Sequence, residues 1–410
     1  MKKENPRLLA QGQEVSNDTW ATGLNNNDII IGPSGCGKTR GYVIPNILQC
    51  NENMIVVAPK GGLYEQVGGI LEQEGYTVYS IDFTDCAASW GYNPLSYIRK
   101  EGDGWREQDI MRVAACLVPV EGREPFWDLA ARMRLESLIG YVLDFLPPEE
   151  HDLASVVQLF RSGRAEYLFR EVNEIAPDCF CAVRFRMSQM GRQADKMEAS
   201  IQGILSERLA CCSFAGAKAL FRNSKQVFIP DLGRGKAALF LRVSDMDRSM
   251  DRLVGLFFTQ ALQVLCDTAD HSPGQRLESP VRLYLDDFAA SFSIPDFDKT
   301  ISVIRSREIS VSVILQSLSQ LEAIYGPPSA ATILNGADHL VYLGGQDVGT
   351  AKQIAAKADK PVGAVLQMPL SQAWLFTRGE PPRRVEKYDL KSHPKYHLLP
   401  EAQPKLKKAS

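Results

Sequence analysis

From Asn27 onward the chain alternates short aliphatic or β-branched runs with longer amphipathic stretches. Residues 28–31 read as a buried strand, 38–50 as a helix, 54–58 as a strand, 63–75 as a helix and 76–83 as a strand. Strand, helix and strand at this spacing predict parallel pairing through right-handed crossovers. Between about 103 and 222 the period changes: strand signals nearly vanish, while 126–146, 153–160, 165–175 and 187–209 carry helical recurrence. An all-α insertion is the simplest account. Strand signals return at 237–241, 281–286, 309–315, 339–343 and 373–377, with helical stretches between them. The expected fold is α/β, with a mainly parallel central sheet in two parts, 1–102 and 223–390, around an inserted all-α domain, 103–222. From Pro381 the chain is rich in Pro and Lys and is expected to be loose, ending in a tail at 391–410.

Composition narrows this without changing it. A 410-residue chain that is 45% hydrophobic and 23% charged is neither a disordered tail, a collagen nor a small disulfide scaffold. A net charge of -3 excludes a partner that coats DNA by bulk charge, so any nucleic acid has to meet a local basic patch. The nine cysteines include no C-x-x-C pair and read as free thiols of a reducing compartment; with only five histidines, no structural metal is expected. Residues 1–13 are polar, unlike a signal peptide. The longest uncharged apolar stretch, 253–266, has 14 residues, whereas a membrane-spanning helix needs about 20.

Chemistry enters at Gly32-Pro33-Ser34-Gly35-Cys36-Gly37-Lys38-Thr39, a match to G-x-x-x-x-G-K-[ST] lying between an expected strand and an expected helix. Glycines at these places let the backbone curl, so that its N–H groups and the helix N-terminus face phosphates. In this arrangement Lys38 bridges the β and γ phosphates of ATP and the Thr39 hydroxyl ligates Mg2+. A second signal lies far downstream, where the mostly apolar strand 281–285 ends in Asp286 and Asp287. At a strand's carboxyl end Asp286 is placed to hold Mg2+ through water, and Asp287 to polarise an attacking water. The strand signals between the two sites suit a motor-type sheet better than a small nucleotide kinase. Gln316 ends the next apolar strand; contact with the γ-phosphate or lytic water and an ordinary strand-end amide both fit it. Arg305 and Arg307 close a helix-like stretch, where either helix-end charge pairing or an arginine finger reaching a neighbouring subunit's nucleotide fits.

Taken in order, the Asn-rich lead-in, GPSGCGKT, VIPNIL at 43–48, PKG at 59–61, WGYNPL at 90–95, Phe126-Trp127 with Ala130-Ala131, LDDFA at 285–289 and RSREISVSVILQSLSQLEAIYG at 305–326 resemble the type IV coupling proteins of the TraG/TraD group. The resemblance covers about 25–360. It implies a RecA-like P-loop motor that works as a homo-hexamer, uses ATP and Mg2+, and brings relaxase-bound single-stranded DNA or secreted proteins to a type IV secretion or conjugation channel. It also implies phosphate and Mg2+ roles for Lys38 and Thr39, the acidic-pair role for Asp286 and Asp287, a finger acting in trans at Arg305 and a γ-phosphate sensor at Gln316.

Three departures from the family pattern stand out. The second acid of the pair is Asp287 where Glu is usual, shortening its reach by about 1.5 Å. The usual Asp-Pro-Lys-Gly-Glu is here Ala58-Pro59-Lys60-Gly61-Gly62. The start of the chain carries none of the transmembrane helices usual in the group, which fits either a naturally soluble variant or a lost upstream anchor; the expectation is a cytoplasmic protein recruited to the inner membrane face by a separate anchor protein. Arg184, Arg186, Arg192 and Lys196, near Phe180 and Phe185, form the best local basic cluster, and a solvated helix face fits it as well as a DNA surface. The Lys405–Lys408 run reads as a solvated tail. An ATP-binding docking adaptor with little turnover, linking a relaxase to a membrane partner, is the alternative function.

Overall fold

A computed structural model of the chain describes residues 6–59, 62–121, 124–189, 195–289 and 292–403. Its contacts divide into two compact units, one of residues 1–80, 228–246 and 262–410, the other of 81–227 and 247–261. The expected insertion at 103–222 therefore falls inside a second unit with wider bounds.

The first unit is built on a sheet. Its strands, in chain order after a small antiparallel hairpin of β1 (Arg7–Ala10) and β2 (Gln13–Val15), are β3 (Asp28–Ile31), β4 (Asn53–Val57), β5 (Thr77–Asp82), β6 (Ala237–Arg242), β7 (Val281–Leu285), β8 (Ile309–Leu315), β9 (His339–Tyr342), β10 (Gln372–Thr377) and β11 (Arg383–Glu386). Among the described residues the sheet runs β11-β10-β9-β3-β8-β7-β4-β6-β5. The pairs β9–β3, β3–β8, β8–β7, β7–β4 and β4–β6 are parallel, while β10 and β11 close one edge antiparallel. Ile29, Ile30 and Ile31 have no exposure, as expected of a central strand covered on both faces, which accounts for the unbroken apolar run. Non-consecutive neighbours, with β8 and β7 between β3 and β4, put the carboxyl ends of β3, β7 and β8 side by side. That end of an open α/β sheet is where ligands bind.

A ring of buried charge underlies the same strands. The Arg282 guanidinium on β7 pairs with Glu52 and lies 3.5 Å from Asp28, while Arg7 reaches Asp28 at 2.7 Å; side-chain exposure does not pass 4% for any of the four. Tyr42 donates to Asp28, Tyr284 donates to Glu52 at 3.2 Å, and Arg282 also donates to the Asn26 carbonyl at 2.7 Å. Two cations and two anions with these hydrogen bonds are what a buried network needs to be tolerated.

The end of the chain departs from expectation. Rather than running loose from Pro381, it forms β11 on β10 and then short turns that bury Leu390 and Leu399 in the sheet's core cluster. The turn between the two paired strands is Arg378-Gly379-Glu380, where Gly379 has φ 84° and the Glu380 N–H donates to the Thr377 carbonyl at 3.0 Å; Pro381 and Pro382 follow it, and the apolar side chains beyond them supply the burial that holds the segment in place. The tail expected at 391–410 is therefore folded as far as the described residues extend, to Gln403; the Lys405–Lys408 run lies outside them.

The second unit is mainly helical, with α3 (Glu107–Leu117), α4 (Pro125–Phe145), α5 (Leu153–Arg161), α6 (Ala165–Ile175), α7 (Phe180–Gln189) and α8 (Asp195–Arg208) following α1 (Ile44–Gln49) and α2 (Leu63–Gln73) of the first. Helix α4 is central: Leu135, Leu138, Ile139 and Val142 are buried, and so are the polar Arg134, Glu136 and Ser137. A Cβ on Gly140 would come within 2.9 Å of the Cys181 Cβ, so glycine is what lets α7 approach α4. Phe185 is inside this packing, stacked on Phe169 at 4.1 Å between centroids. Arg184 is engaged by Glu136, and Arg186 by Asn173 and the Pro177 carbonyl. These partners make Arg184 and Arg186 structural groups of the helical unit; Arg192 and the Lys196 side chain lie outside the described residues. Among the described residues no helix is long and apolar enough to cross a membrane.

Candidate nucleotide site

The phosphate loop leaves β3 at Gly32, whose N–H donates to the Leu315 carbonyl at 3.0 Å, tying the loop to the end of β8. A Cβ at Gly32 would sit 2.5 Å from the Cys36 Sγ and 2.9 Å from the Leu343 Cβ, and Gly35 and Gly37 have φ of 78° and 97°. The loop therefore needs glycine at these places for space or for left-handed backbone. The expected helix 38–50 begins instead with a π-type turn, Thr39–Val43, before α1. Pro45 has no N–H to offer the Gly41 carbonyl and its ring crowds that group, which widens the turn.

Across the loop stand the residues from β7 and β8. The Thr39 hydroxyl donates to Asp286 Oδ2 at 2.6 Å, although the two are 247 positions apart. The Asp287 N–H, in left-handed backbone at φ 50°, donates to the Asp286 carboxylate at 3.0 Å. Lys38 Nζ donates to the carbonyls of Gly32 at 2.7 Å and Pro33 at 3.2 Å and lies 3.8 Å from Asp287 Oδ1. Gln316 Nε2 donates to the same Asp287 oxygen at 3.4 Å. Ser34, Gly35, Gly37, Lys38, Thr39, Asp286 and Asp287 line one cleft of about 320 Å³. Pro33 and Cys36 do not line it: Pro33 forms the loop's turn, accepting from the Cys36 N–H at 3.3 Å, and burial pushes the Cys36 thiol up.

Burial raises the pKa of Asp286 and the neighbouring Asp287 carboxylate adds to this, while the Thr39 hydroxyl and the Lys38 ammonium pull the other way. Hydroxyl and carboxylate oxygens converging in this way suit Mg2+, which takes few protein ligands and fills its shell with phosphate oxygens and water. When bound, the ion neutralises charge on β- and γ-phosphate oxygens. The raised pKa is also a statement about stability. A carboxyl whose folded pKa lies above its unfolded value contributes stability below the ordinary carboxylate range and loses it as pH rises through the folded value. Asp286→Asn, which keeps an acceptor for the Asp287 N–H and a partner for Thr39, should therefore melt higher than wild type near neutral pH. Its advantage should vanish at low pH, and its Mg2+-dependent nucleotide binding should be lost. Melting curves across the acidic range check this; an advantage that grew on acidification would contradict it.

Residues 3–359 match the family model described as Type IV secretory system Conjugative DNA transfer. The chain belongs to this family. Among curated relatives, Protein VirD4 of Rhizobium rhizogenes is 23% identical over 406 residues, covering 94% of this chain and 58% of its own. The chain thus spans little more than half the length of that relative. Among solved structures, the plasmid coupling protein TrwB in complex with the non-hydrolysable ATP analogue ADPNP superposes with a TM-score of 0.71 at 15% identity, covering 95% of this chain and 90% of that one. TrwB in complex with ADP and Mg2+ gives 0.62 at 16% identity, covering 95% and 90%. At such identities the likeness shows the RecA-like P-loop fold.

Of the expected site residues, Arg305 lies farthest from this arrangement, while Gln316 reaches the acidic pair through Asp287 and lines an adjoining space with Pro33. Arg305 lies in a 3-10 turn, Arg305–Arg307, before β8, while Gln316 follows the other end of that seven-residue strand. Arg305 is exposed and donates to the Thr19 carbonyl at 3.2 Å, whereas Arg307 forms a two-pronged pair with Asp270 at 2.8 and 3.0 Å. Two cations beside the phosphate loop escaped the sequence reading. Arg40 borders the cleft and pairs with Glu401 at 2.6 Å, and Lys387 donates to the Cys36 carbonyl at 3.3 Å. Position directly after the Thr39 signature was a usable clue for Arg40; Lys387 lies in the segment whose prolines concealed a strand.

Proposed function

We propose that this chain is the motor part of a coupling ATPase, which binds Mg-ATP and uses its hydrolysis to move relaxase-bound single-stranded DNA or a protein substrate to a type IV secretion channel. The observation that carries the reading is the convergence of Thr39 on Asp286, and of Lys38 and Gln316 on Asp287, beside the phosphate loop of a conjugative DNA-transfer family member. Lys38 binds the β and γ phosphates, Thr39 and Asp286 hold Mg2+, and Asp287 orients and deprotonates the lytic water. Gln316, already bonded to Asp287, positions that water or senses the γ-phosphate. Nucleotide complexes of the similarly folded TrwB support the choice of ligand.

Arg305 belongs to the reading as a group acting in trans. It is exposed and, among the described residues, is held only by the Thr19 carbonyl, which leaves its charge available to a neighbouring copy, whereas Arg307 is paired with Asp270. Assembly into a hexamer and recruitment to the inner membrane face by a membrane partner complete the proposal. ATP turnover measured with and without single-stranded DNA tests it. Turnover should rise several-fold on adding DNA, because a motor couples its strand to its site; negligible turnover in both conditions identifies the docking adaptor instead.

A further inference from the structure

At the amino end of β8, a short turn from near the start of the chain is fastened to the segment that carries Arg305. The turn is Thr19–Thr22, and Asp18 shapes it, its carboxylate accepting from the N–H groups of Trp20 and Ala21, both at 2.9 Å. Two bonds cross from this turn. The Thr19 carbonyl accepts from Arg305 Nη2 at 3.2 Å, and the Trp20 indole N–H donates to Glu308 Oε1 at 3.0 Å, although Trp20 and Glu308 are 288 positions apart. Trp20 is 64% exposed, so burial gives little reason for an indole at this place.

Glu308 is the acid nearest to Arg305 along the chain, three positions on, and stands in left-handed backbone at φ 59° with its carbonyl accepting from the Val281 N–H at 3.0 Å. In a 3-10 turn, side chains three apart eclipse one another, and an arginine and a glutamate so placed ordinarily pair. Here they do not. Glu308 is engaged by Trp20, and Arg305 by a backbone carbonyl, which orients a guanidinium without cancelling its charge. Arg307 shows the contrasting case, with Asp270 holding it in a two-pronged pair at 2.8 and 3.0 Å.

We propose that Trp20 is a positioning residue for Arg305 acting in trans: by engaging Glu308 it keeps that carboxylate off Arg305, while the adjoining Thr19 carbonyl aligns the guanidinium for a neighbouring copy's γ-phosphate. The proposal deepens the ATPase reading and rests on its assignment of Arg305. A finger works through its full charge and its placement. A carboxylate closed on it cancels the first, and a misplacement of about 1 Å costs a factor of about 100.

Mixed rings test the proposal, because they separate the chain that gives a finger from the chain that supplies a phosphate site. In a mixture of Lys38→Ala and Arg305→Ala chains, a complete site forms only where Arg305 of the first meets the phosphate loop of the second. Trp20→Phe keeps a ring and removes the donor. Placed on the Lys38→Ala chain, it should lower the turnover of the mixture by about tenfold. Placed on the Arg305→Ala chain, which has no finger to position, it should add no further loss. Adding Glu308→Gln to the chain that carries Trp20→Phe and Lys38→Ala removes the competing charge and should return turnover to within about twofold of the parent mixture. Trp20→Gln, which offers Glu308 a donor without a ring, should likewise recover most of the loss, so a missing bond is told from missing bulk. Melting curves matching those of the parent chains show that the variants are folded. An equal loss with Trp20→Phe on either chain, or no return with Glu308→Gln, overturns the role of Trp20 and leaves the finger standing. A parent mixture without recovered turnover, with mixed rings shown to form, overturns the trans reading of Arg305 and this proposal with it.

Discussion

Lys38→Ala should hydrolyse ATP about 100- to 1,000-fold more slowly than wild type, the loss typical of removing one preorganised contact to developing charge in a buried site. The substituted group is 7% exposed, is held by two carbonyls of its own loop and lies 3.8 Å from Asp287, whereas Arg40, the other cation bordering the cleft, is paired with Glu401. Arg305→Ala should be similarly impaired if Arg305 serves a neighbour's site, even though in its own subunit it stands at the far end of β8. The two defects should be complementary. In a mixture, a subunit with intact Lys38 receives the finger of a Lys38→Ala neighbour, so mixing two weak proteins should recover a measurable fraction of wild-type turnover. Wild-type turnover by Lys38→Ala alone contradicts the phosphate-site assignment. Absence of recovery on mixing, with mixed rings shown to form, contradicts only the trans assignment of Arg305.

The second large effect concerns stability. Glu52→Leu should destabilise the first unit by about 3–5 kcal/mol, because it leaves Arg7 and Arg282 buried with Asp28 as the sole anion of the ring. Pairing it with Arg282→Met restores charge balance, with Arg7 and Asp28 still together at 2.7 Å, and should recover a large part of that loss. Urea denaturation of the two single variants and the double variant measures this. Strict additivity of the two single effects would show that the four groups do not act as a unit.

That ring also marks a limit of what a linear pattern conveys. Val281-Arg282-Leu283-Tyr284-Leu285 reads as an apolar strand interrupted by one arginine, and it is a strand. Nothing local says that Arg282 lies at zero exposure, because its partners Glu52 and Asp28 are 230 and 254 positions away and meet it only through the order of strands in the sheet. Helix content in the second unit was legible for the converse reason: periodicity in 126–146 and 165–175 is a short-range property, and the observed α4 and α6 differ from it by a residue at most at any end. Arg184 and Arg186 looked like a basic surface because their partners Glu136, Asn173 and the Pro177 carbonyl could not be paired with them by spacing alone.

The chemistry of the site divides in the same way. Gly32 to Thr39 declares itself in eight consecutive residues, since a phosphate is gripped by contiguous backbone, and the paired acids and Gln316 announce themselves by ending apolar strands. By itself the sequence determined the α/β class, the helical insertion, the phosphate loop and the family. Tertiary structure alone decided that Asp286 meets Thr39, that Gln316 meets Asp287 while Arg305 stays at the opposite end of its strand, and that the chain after Pro381 walls a cavity beside the loop. The physical reason is that strand order and burial of distant side chains, such as Leu390 and Leu399 against the sheet, are settled by packing between segments that no local pattern connects.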